Sequence, residues 1–304
     1  MFDIVTVGHF TIDYIKSPRR LDSKPTLGGP PTYTSIAARR LGANVSVISK
    51  VGEDFQPKYL KWLKNQGVDL SGLNKVKGTL TTSFMLNYFE NGERQMALKN
   101  RAPPIEAEDV PDNLETNSIH VAPIANEVSY KVIDKLRRLT NTVSLDPQGF
   151  LRRFTEEGMM YLAKMDNLEI LEKIDIFKSS EREIEVLTGE SDVLKAMIMI
   201  HEHGAKIVIV TRGMEGSILY FKNRFHKIPA ARPKIVVDTT GAGDAFIGGF
   251  MAEYIEEKEP VWCACVGSAA TSFVTEKIGP RGFAPRKEVY ERADEVYEKT
   301  SIII

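Results

Sequence analysis

Short runs rich in β-branched residues recur along the chain and read DIVTVG, NVSVIS, SIHVAP, TVSLDP, IDIFKSS and KIVIVT. Segments between them carry apolar residues at helical spacing, at Pro31–Leu41, Phe55–Asn65, Glu127–Leu139 and Asp192–His203. Strands that alternate with helices predict a mostly parallel sheet covered by helices. We therefore expect an α/β fold that binds its ligands where the strands end, at the carboxyl edge of the sheet.

Two stretches depart from this alternation and predict a small antiparallel flap, or lid, beside the main sheet. From Thr79 the chain reads TLTTSFMLNYFENGERQMALK, which is two strand patterns joined at Asn91-Gly92, a strong hairpin signal. A weaker strand pair lies near YIKSPRRLDSKPTLGG. We expect one domain over residues 1–304, with a lid from about residues 14–28 and 79–100.

Composition excludes several classes of protein. With 304 residues, 42% of them hydrophobic, the chain can bury a large core. Its 40 basic and 41 acidic residues leave a net charge of -1, which favours neither a nucleic acid nor a membrane surface as partner. Cys263 and Cys265 suit neither a CxxC redox pair nor a tetrahedral metal site. We expect reduced thiols in a cytoplasmic protein with no membrane-spanning segment and a small-molecule ligand.

A glycine-rich segment, DTTGAGDAFIGGF, joins the β-rich run KIVV at 234–237 to a helical pattern. It contains no GxxxxGK[ST] motif, and Phe246 stands where a dinucleotide fingerprint needs its third glycine. A glycine loop at a helix N-terminus can still receive a phosphoryl group on its backbone amides. Gly241 and Gly243 allow the close approach that this requires.

Asp244 follows these glycines in the first turn of the predicted helix. There it could accept the proton of an alcohol that attacks the phosphorus atom. It could also simply complement the helix dipole, a contribution of about 0.3–1 kcal/mol. Taken alone, the residues leave both interpretations open.

The segment DTTGAGDAF resembles the C-terminal signature of the ribokinase-like, or PfkB-type, carbohydrate kinases. The resemblance extends through LGGPPTYTSIAARRLGANVSVISKVGEDF, VTRGMEGS and SAATSFVTEKIG, and so covers essentially the whole chain. It implies a three-layer ribokinase-like sandwich. It also implies an ATP-dependent kinase that uses Mg²⁺ and a monovalent cation such as K⁺.

The same resemblance implies roles for individual residues. It makes Asp244 the catalytic base and places the anion hole at Gly241, Ala242 and Gly243. Binding of the acceptor falls to Asp13, Gly28, Gly29 and Tyr33, and binding of the nucleotide to Ser180, Thr211, Gly213 and Gly216. Glu183 would hold Mg²⁺ through water, and a monovalent cation would lie at Asp238 and Thr240, near the backbone of Gly279.

Two positions depart from the family pattern and bear on the acceptor. Tyr33 stands where sugar-specific members often carry an asparagine, which makes ribose a less expected acceptor. Ser180 stands where the family has another asparagine, whereas Glu183 is kept. The second departure weakens the expected magnesium network.

The segments LDPQGFLR and FKSSEREIE are similar to the myo-inositol kinase branch of the family. Hydroxyls of a ring could be bound by Asp13, Asp146, Gln148 and Arg152, although Asp146-Pro147 could equally start an ordinary turn. We therefore expect a sugar or cyclic polyol as acceptor, with myo-inositol first. The alternatives are a nucleoside kinase, a keto-sugar-acid kinase and a non-catalytic sugar-binding regulator. ATP or ADP as donor, and a possible homodimer, stay open.

Overall fold

The computed structural model of the chain describes residues 1–16, 24–89, 94–165 and 167–303. Strands β1 to β8 span Phe2–Val7, Thr11–Lys16, Pro25–Gly28, Val45–Gly52, Val68–Val76, Ser83–Tyr88, Arg94–Asn100 and Thr116–Val121. Strands β9 to β16 span Thr142–Leu145, Arg152–Phe154, Met160–Leu162, Ile176–Ser180, Ile207–Thr211, Ser217–Phe221, Arg224–Ile228 and Ser301–Ile302.

Helices α1 to α9 span Pro30–Arg40, Pro57–Asn65, Tyr130–Leu139, Gln148–Leu151, Glu181–Thr188, Val193–Glu202, Ala242–Tyr254, Pro260–Val274 and Arg286–Tyr297. Each helix expected from apolar spacing is present, within three residues of its predicted bounds. Proline stands in the first turn of α1, α2 and α8, where its missing N–H costs no hydrogen bond.

The main sheet has the strand order β16-β15-β14-β13-β12-β9-β8-β1-β4-β5. Strands from β13 to β5 in this order pair in parallel, and β14, β15 and β16 extend the sheet antiparallel. One face packs against α1, α2, α7, α8 and α9, and the other against α3, α5 and α6. This three-layer arrangement confirms the predicted fold class.

A second sheet has the order β3-β2-β6-β7 and forms the predicted lid. The β2–β3 and β6–β7 pairs are antiparallel, and a parallel pairing of β2 with β6 joins them. Ile15, Phe84, Leu86 and Met96 of this sheet pack with Ile124 of the main body. The expected hairpin turn at Asn91-Gly92 lies outside the described residues.

The β-rich run KIVV forms no strand and leads into the glycine loop as irregular chain. Ile235, Val236 and Val237 are 54%, 44% and 43% exposed, because the segment runs over the surface beside α8. Their β-branched side chains therefore lie at the surface and not in a sheet. Within the described residues, no helix is both long and apolar enough to span a bilayer.

Candidate active site

The glycine loop leads into the N-terminus of α7, as its residue pattern predicts. Gly241 has a left-handed backbone (φ 75°) and caps the N-terminus of α7. A Cβ at this position would also run into the ring of Tyr33. Glycine is therefore required at Gly241 both for the turn and for the packing on Tyr33.

Several backbone amides at the start of α7 are free to bind an anion. Within the described residues, no backbone oxygen accepts a hydrogen bond from the N–H groups of Gly241, Gly243 or Asp244. The amide of Ala242 differs, because it donates to the carbonyl of Thr239 at 3.2 Å. The amides left free for an anion are thus those of Gly241, Gly243 and Asp244, whereas the predicted anion hole had Ala242 in place of Asp244.

A polar cavity of about 230 Å³ opens in front of this loop, and Asp13, Gly29, Tyr33 and Asp244 line it. It lies at the carboxyl edge of the main sheet, where Asp146 follows β9 and Thr211 ends β13. The fold thereby brings together residues that are expected to bind the acceptor and are far apart in the sequence. Gly28 is absent from the lining, and it makes room for Asp13, whose carboxylate a Cβ would strike.

Asp244 is linked to two residues of the LDPQGFLR segment. The side chain of Gln148 donates to Asp244 Oδ1 at 3.4 Å, and Arg152 donates to the amide oxygen of Gln148 at 2.5 Å. Arg152 thereby fixes which end of the Gln148 amide faces Asp244. These two hydrogen bonds orient the Asp244 carboxylate, so Gln148 and Arg152 are not reserved for the acceptor.

Burial raises the pKa of Asp244 to about 6, with a further contribution from the charge of Asp146. Lys178, Arg152 and the hydrogen bond from Gln148 limit the rise. Asp244 keeps some solvent contact, because its side chain faces the cavity. A carboxylate with this pKa is ionised at neutral pH and more basic than an ordinary aspartate, as a general base requires.

We expect the pKa of Asp244 to appear in the pH profile of the enzyme. If Asp244 acts as the base, it must be deprotonated, so kcat/KM for the acceptor should be level above pH 7 and fall below about pH 6, by up to tenfold per pH unit. The measurement uses saturating donor, so that ionisation of free donor does not contribute. A profile that stays level to about pH 4.5 would contradict a base with this raised pKa.

Tyr33 lies beneath the loop and is 1% exposed. Its hydroxyl has no hydrogen-bond partner among the described residues, although it adjoins the cavity. Burial raises the pKa of Tyr33 well above its usual value, and Asp13, Asp238 and Asp244 add to the effect. The hydroxyl is therefore neutral at physiological pH.

Ser180 and Glu183 form a capping box at the start of α5. Glu183 Oε2 accepts from the Ser180 amide at 2.8 Å and from its hydroxyl at 2.7 Å. Both residues line the polar cavity. Ser180 was expected at the nucleotide, but it is absent from the lining of the apolar groove described below.

Asp238 ties two loops together and is 5% exposed. It accepts from the amide of Thr240 at 2.9 Å and from that of Gly279 at 3.0 Å. The described residues place no lysine or arginine in an ion pair with it. A buried carboxylate that meets only amides is a suitable ligand for a monovalent cation.

A second, apolar groove of about 200 Å³ adjoins the polar cavity. The expected nucleotide residues Thr211, Gly213 and Gly216 line it. So do several residues that sequence reasoning missed, namely Met214, Ala230, Ala231, Pro233, Val236, Ser268, Thr271, Ser272 and Thr275. Met214 and the α8 residues stand in VTRGMEGS and SAATSFVTEKIG, segments already quoted for the resemblance, whereas no pattern marks the four residues of the surface loop before the glycine loop.

Sequence reasoning also missed Lys178, in β12. Its ammonium forms an ion pair with Asp146 at 2.7 Å, and both side chains are buried. The available signal was a lysine inside the apolar strand pattern IDIFKSS, since lysine is almost never buried without a partner.

Comparisons with known proteins agree with this geometry. The model of the pfkB family of carbohydrate kinases matches residues 1–287. A cytidine kinase of Thermococcus kodakarensis is 32% identical over 290 residues, which cover 92% of this chain and 98% of that protein.

Two solved structures of similar fold are kinases of different acceptors. A pyrophosphate-dependent kinase in the ribokinase family, complexed with a pyrophosphate analog and myo-inositol, has a TM-score of 0.80 at 25% identity, covering 95% of this chain and 99% of that one. The nucleoside kinase of Methanocaldococcus jannaschii has a TM-score of 0.78 at 26% identity, covering 97% and 99%.

Proposed function

Because the chain belongs to the pfkB family of carbohydrate kinases and is a kinase of sugars or nucleosides, we propose that it transfers the terminal phosphoryl group of a nucleotide such as ATP to a hydroxyl of a ring-containing acceptor. The glycine loop would bind the phosphoryl group, and Asp244 would act as the base. The two cavities would hold the two substrates.

One observation carries this proposal: the glycine loop forms a wall shared by the two cavities. Thr211, Thr239, Ala242 and Gly243 line both the apolar groove and the polar cavity. The groove suits a nucleobase, and the cavity suits hydroxyls. A phosphate chain that runs from the groove would end at the free amides of the loop, beside Asp244.

The apolar groove favours a nucleotide over pyrophosphate as donor, although a pyrophosphate-dependent kinase is among the structural relatives. Pyrophosphate has no apolar part to bury there. The hydroxyls of Ser268, Thr271 and Thr275 in this groove donate to backbone carbonyls. The nucleobase of the donor would therefore be held mainly by shape and apolar contact.

In the reaction, Asp244 takes the proton of the acceptor hydroxyl as its oxygen attacks the terminal phosphorus atom. The bond from phosphorus to the acceptor oxygen forms, and the bond to the departing nucleotide breaks. The amides of Gly241, Gly243 and Asp244 stabilise the charge on the transferring group. Gln148 keeps the carboxylate of Asp244 aimed at the acceptor.

The site residues fit the two expected metal ions. Glu183 Oε1 accepts no hydrogen bond within the described residues, so it could bind a water of Mg²⁺. No group of three or more His, Cys, Asp or Glu suited to a metal occurs in the described chain, consistent with an ion that keeps most of its waters. Bound Mg²⁺ would neutralise the phosphate oxygens, and Asp238 with Thr240 would hold a monovalent cation.

We propose a nucleoside as the preferred acceptor. The lid side of the polar cavity is apolar, with Phe84, Leu86 and Met96 of the lid beside Ile124. These side chains would cover the nucleobase of a nucleoside, while Asp13 binds its ribose hydroxyls. The likeness to the cytidine kinase supports this choice. Tyr88 of the lid contacts Thr240 at 2.7 Å, which links the lid to the proposed cation site.

The second candidate acceptor is myo-inositol, as expected from the sequence. Polar groups of Asp13, Gln148 and Arg152 face one side of the cavity, and a cyclic polyol offers a hydroxyl on every ring carbon. The structural relative complexed with myo-inositol favours it as well. Gln148 and Arg152, however, are engaged with each other and with Asp244.

A matrix of donors and acceptors tests the proposal. The donors are ATP, ADP and pyrophosphate, and the acceptors are cytidine, adenosine, myo-inositol, ribose, fructose and 2-keto-3-deoxygluconate. We expect cytidine or adenosine with ATP to give the highest kcat/KM, by at least about tenfold, because analogues leave buried polar groups unpaired. A tenfold preference for myo-inositol would reverse the order of acceptors, and pyrophosphate as best donor would refute the role of the groove.

A further inference from the structure

We propose that the Lys178 ammonium binds the phosphoryl group during its transfer from donor to acceptor. This inference rests on the proposed function and assigns the reaction one more catalytic residue. Lys178 itself keeps its proton and donates hydrogen bonds to the phosphoryl oxygens, while the acceptor proton goes to Asp244.

The position of Lys178 carries the argument. Its ammonium approaches the glycine loop so closely that a Cβ on Gly243 would lie 2.5 Å from Nζ. Lys178 and Gly243 both line the polar cavity. The ammonium thus adjoins the point where the free amides of the loop would receive an anion.

The hydrogen bonds of Lys178 leave donors available. An ammonium has three N–H groups, and within the described residues the side chain of Lys178 donates only to Asp146, at 2.7 Å. Asp146 is in turn fixed by the amide of Gln148, which donates to its other oxygen at 3.1 Å. The ion pair therefore holds the ammonium in place without using all of its donors.

The negative charge of the cavity favours a cation beside the loop in addition to a metal ion. Asp13, Asp146, Glu183 and Asp244 all line the cavity, and an anionic phosphoryl group would meet their combined charge. Within the described lining, the positive side chains are Lys178 and Arg152. Arg152 is directed at Gln148, which leaves Lys178 as the cation beside the loop.

A purely structural role explains these contacts poorly. A buried ion pair adds little stability compared with an apolar pair of similar volume, since both charges lose their hydration. Burial opposes the charge on Lys178, but Asp146, Glu183 and Asp244 outweigh it and raise the pKa of the amine. The protein therefore keeps a permanent cation where the reaction needs one.

The test compares two variants with one control. Lys178→Met removes the ammonium, and Lys178→Met with Asp146→Asn also removes the carboxylate that would otherwise stay buried and unpaired. Lys50→Met breaks an ion pair of 2.6 Å with Asp109 outside the cavity and serves as control. Thermal unfolding shows which variants keep the fold.

We expect both Lys178 variants to lower kcat by about 10²-fold or more, with Lys50→Met near wild type. Without its neighbouring cation, Asp244 should titrate higher, so the acid limb of the pH profile should move up in Lys178→Met. Recovery of kcat to within about threefold of wild type in the folded double variant would overturn the proposal.

Binding of inorganic pyrophosphate, measured by calorimetry, separates this inference from the proposed function. Wild type and Lys50→Met should bind it equally, and both Lys178 variants at least about tenfold more weakly. Equal binding by all four proteins would refute the role of Lys178. Absence of turnover with every donor and acceptor, but with Lys178-dependent binding, would refute the proposed activity alone.

Discussion

Replacing Asp244 by asparagine is expected to lower kcat by roughly 10²–10⁴-fold, the loss that follows removal of a general base. Asparagine keeps the size of the side chain and can still meet Gln148, but it cannot take the acceptor proton. Affinity for the donor should change little, because the amides of the glycine loop remain. Steady-state kinetics with the best acceptor give kcat and both KM values.

The matched control for this variant is Asp294→Asn, which makes the same chemical change on the exposed surface of α9. It should behave as wild type. If Asp244→Asn kept more than about a tenth of wild-type turnover while chemistry is rate-limiting, Asp244 would not be the base.

Replacing Gly243 by valine is expected to lower kcat by at least about 10²-fold, comparable to the loss of an oxyanion donor. The structure gives this effect two causes. The branched side chain would cover the free amides at the start of α7, and its Cβ would lie 2.5 Å from Lys178 Nζ and displace it. The backbone of Gly243 is helical, so the fold should survive.

A graded series checks this explanation. Gly243→Ala introduces the Cβ without the branches, so it should lose less activity than valine. Circular dichroism and the midpoint of thermal unfolding should be close to wild type in both variants. Normal kinetics in Gly243→Val would exclude the loop as the phosphoryl site.

The sequence by itself determined the fold class, and it predicted where the chemistry would lie. Alternating β-branched runs and helical spacing predict the parallel sheet, because each element must bury one face. The glycine loop and Asp244 lie within a few residues of one another, so local geometry fixes their relation. The lid strands were equally readable, since a hairpin is a local structure.

Only the tertiary structure decided which distant residues surround Asp244. The sheet order places β9 beside β12, so Asp146 meets Lys178 across 32 residues of sequence. Gln148 reaches Asp244 across 96 residues, and this contact gives the LDPQGFLR segment a role beside the base. The apolar groove likewise combines a surface loop with α8, and the β-rich run KIVV lies exposed in that loop, because propensity does not report what a side chain packs against.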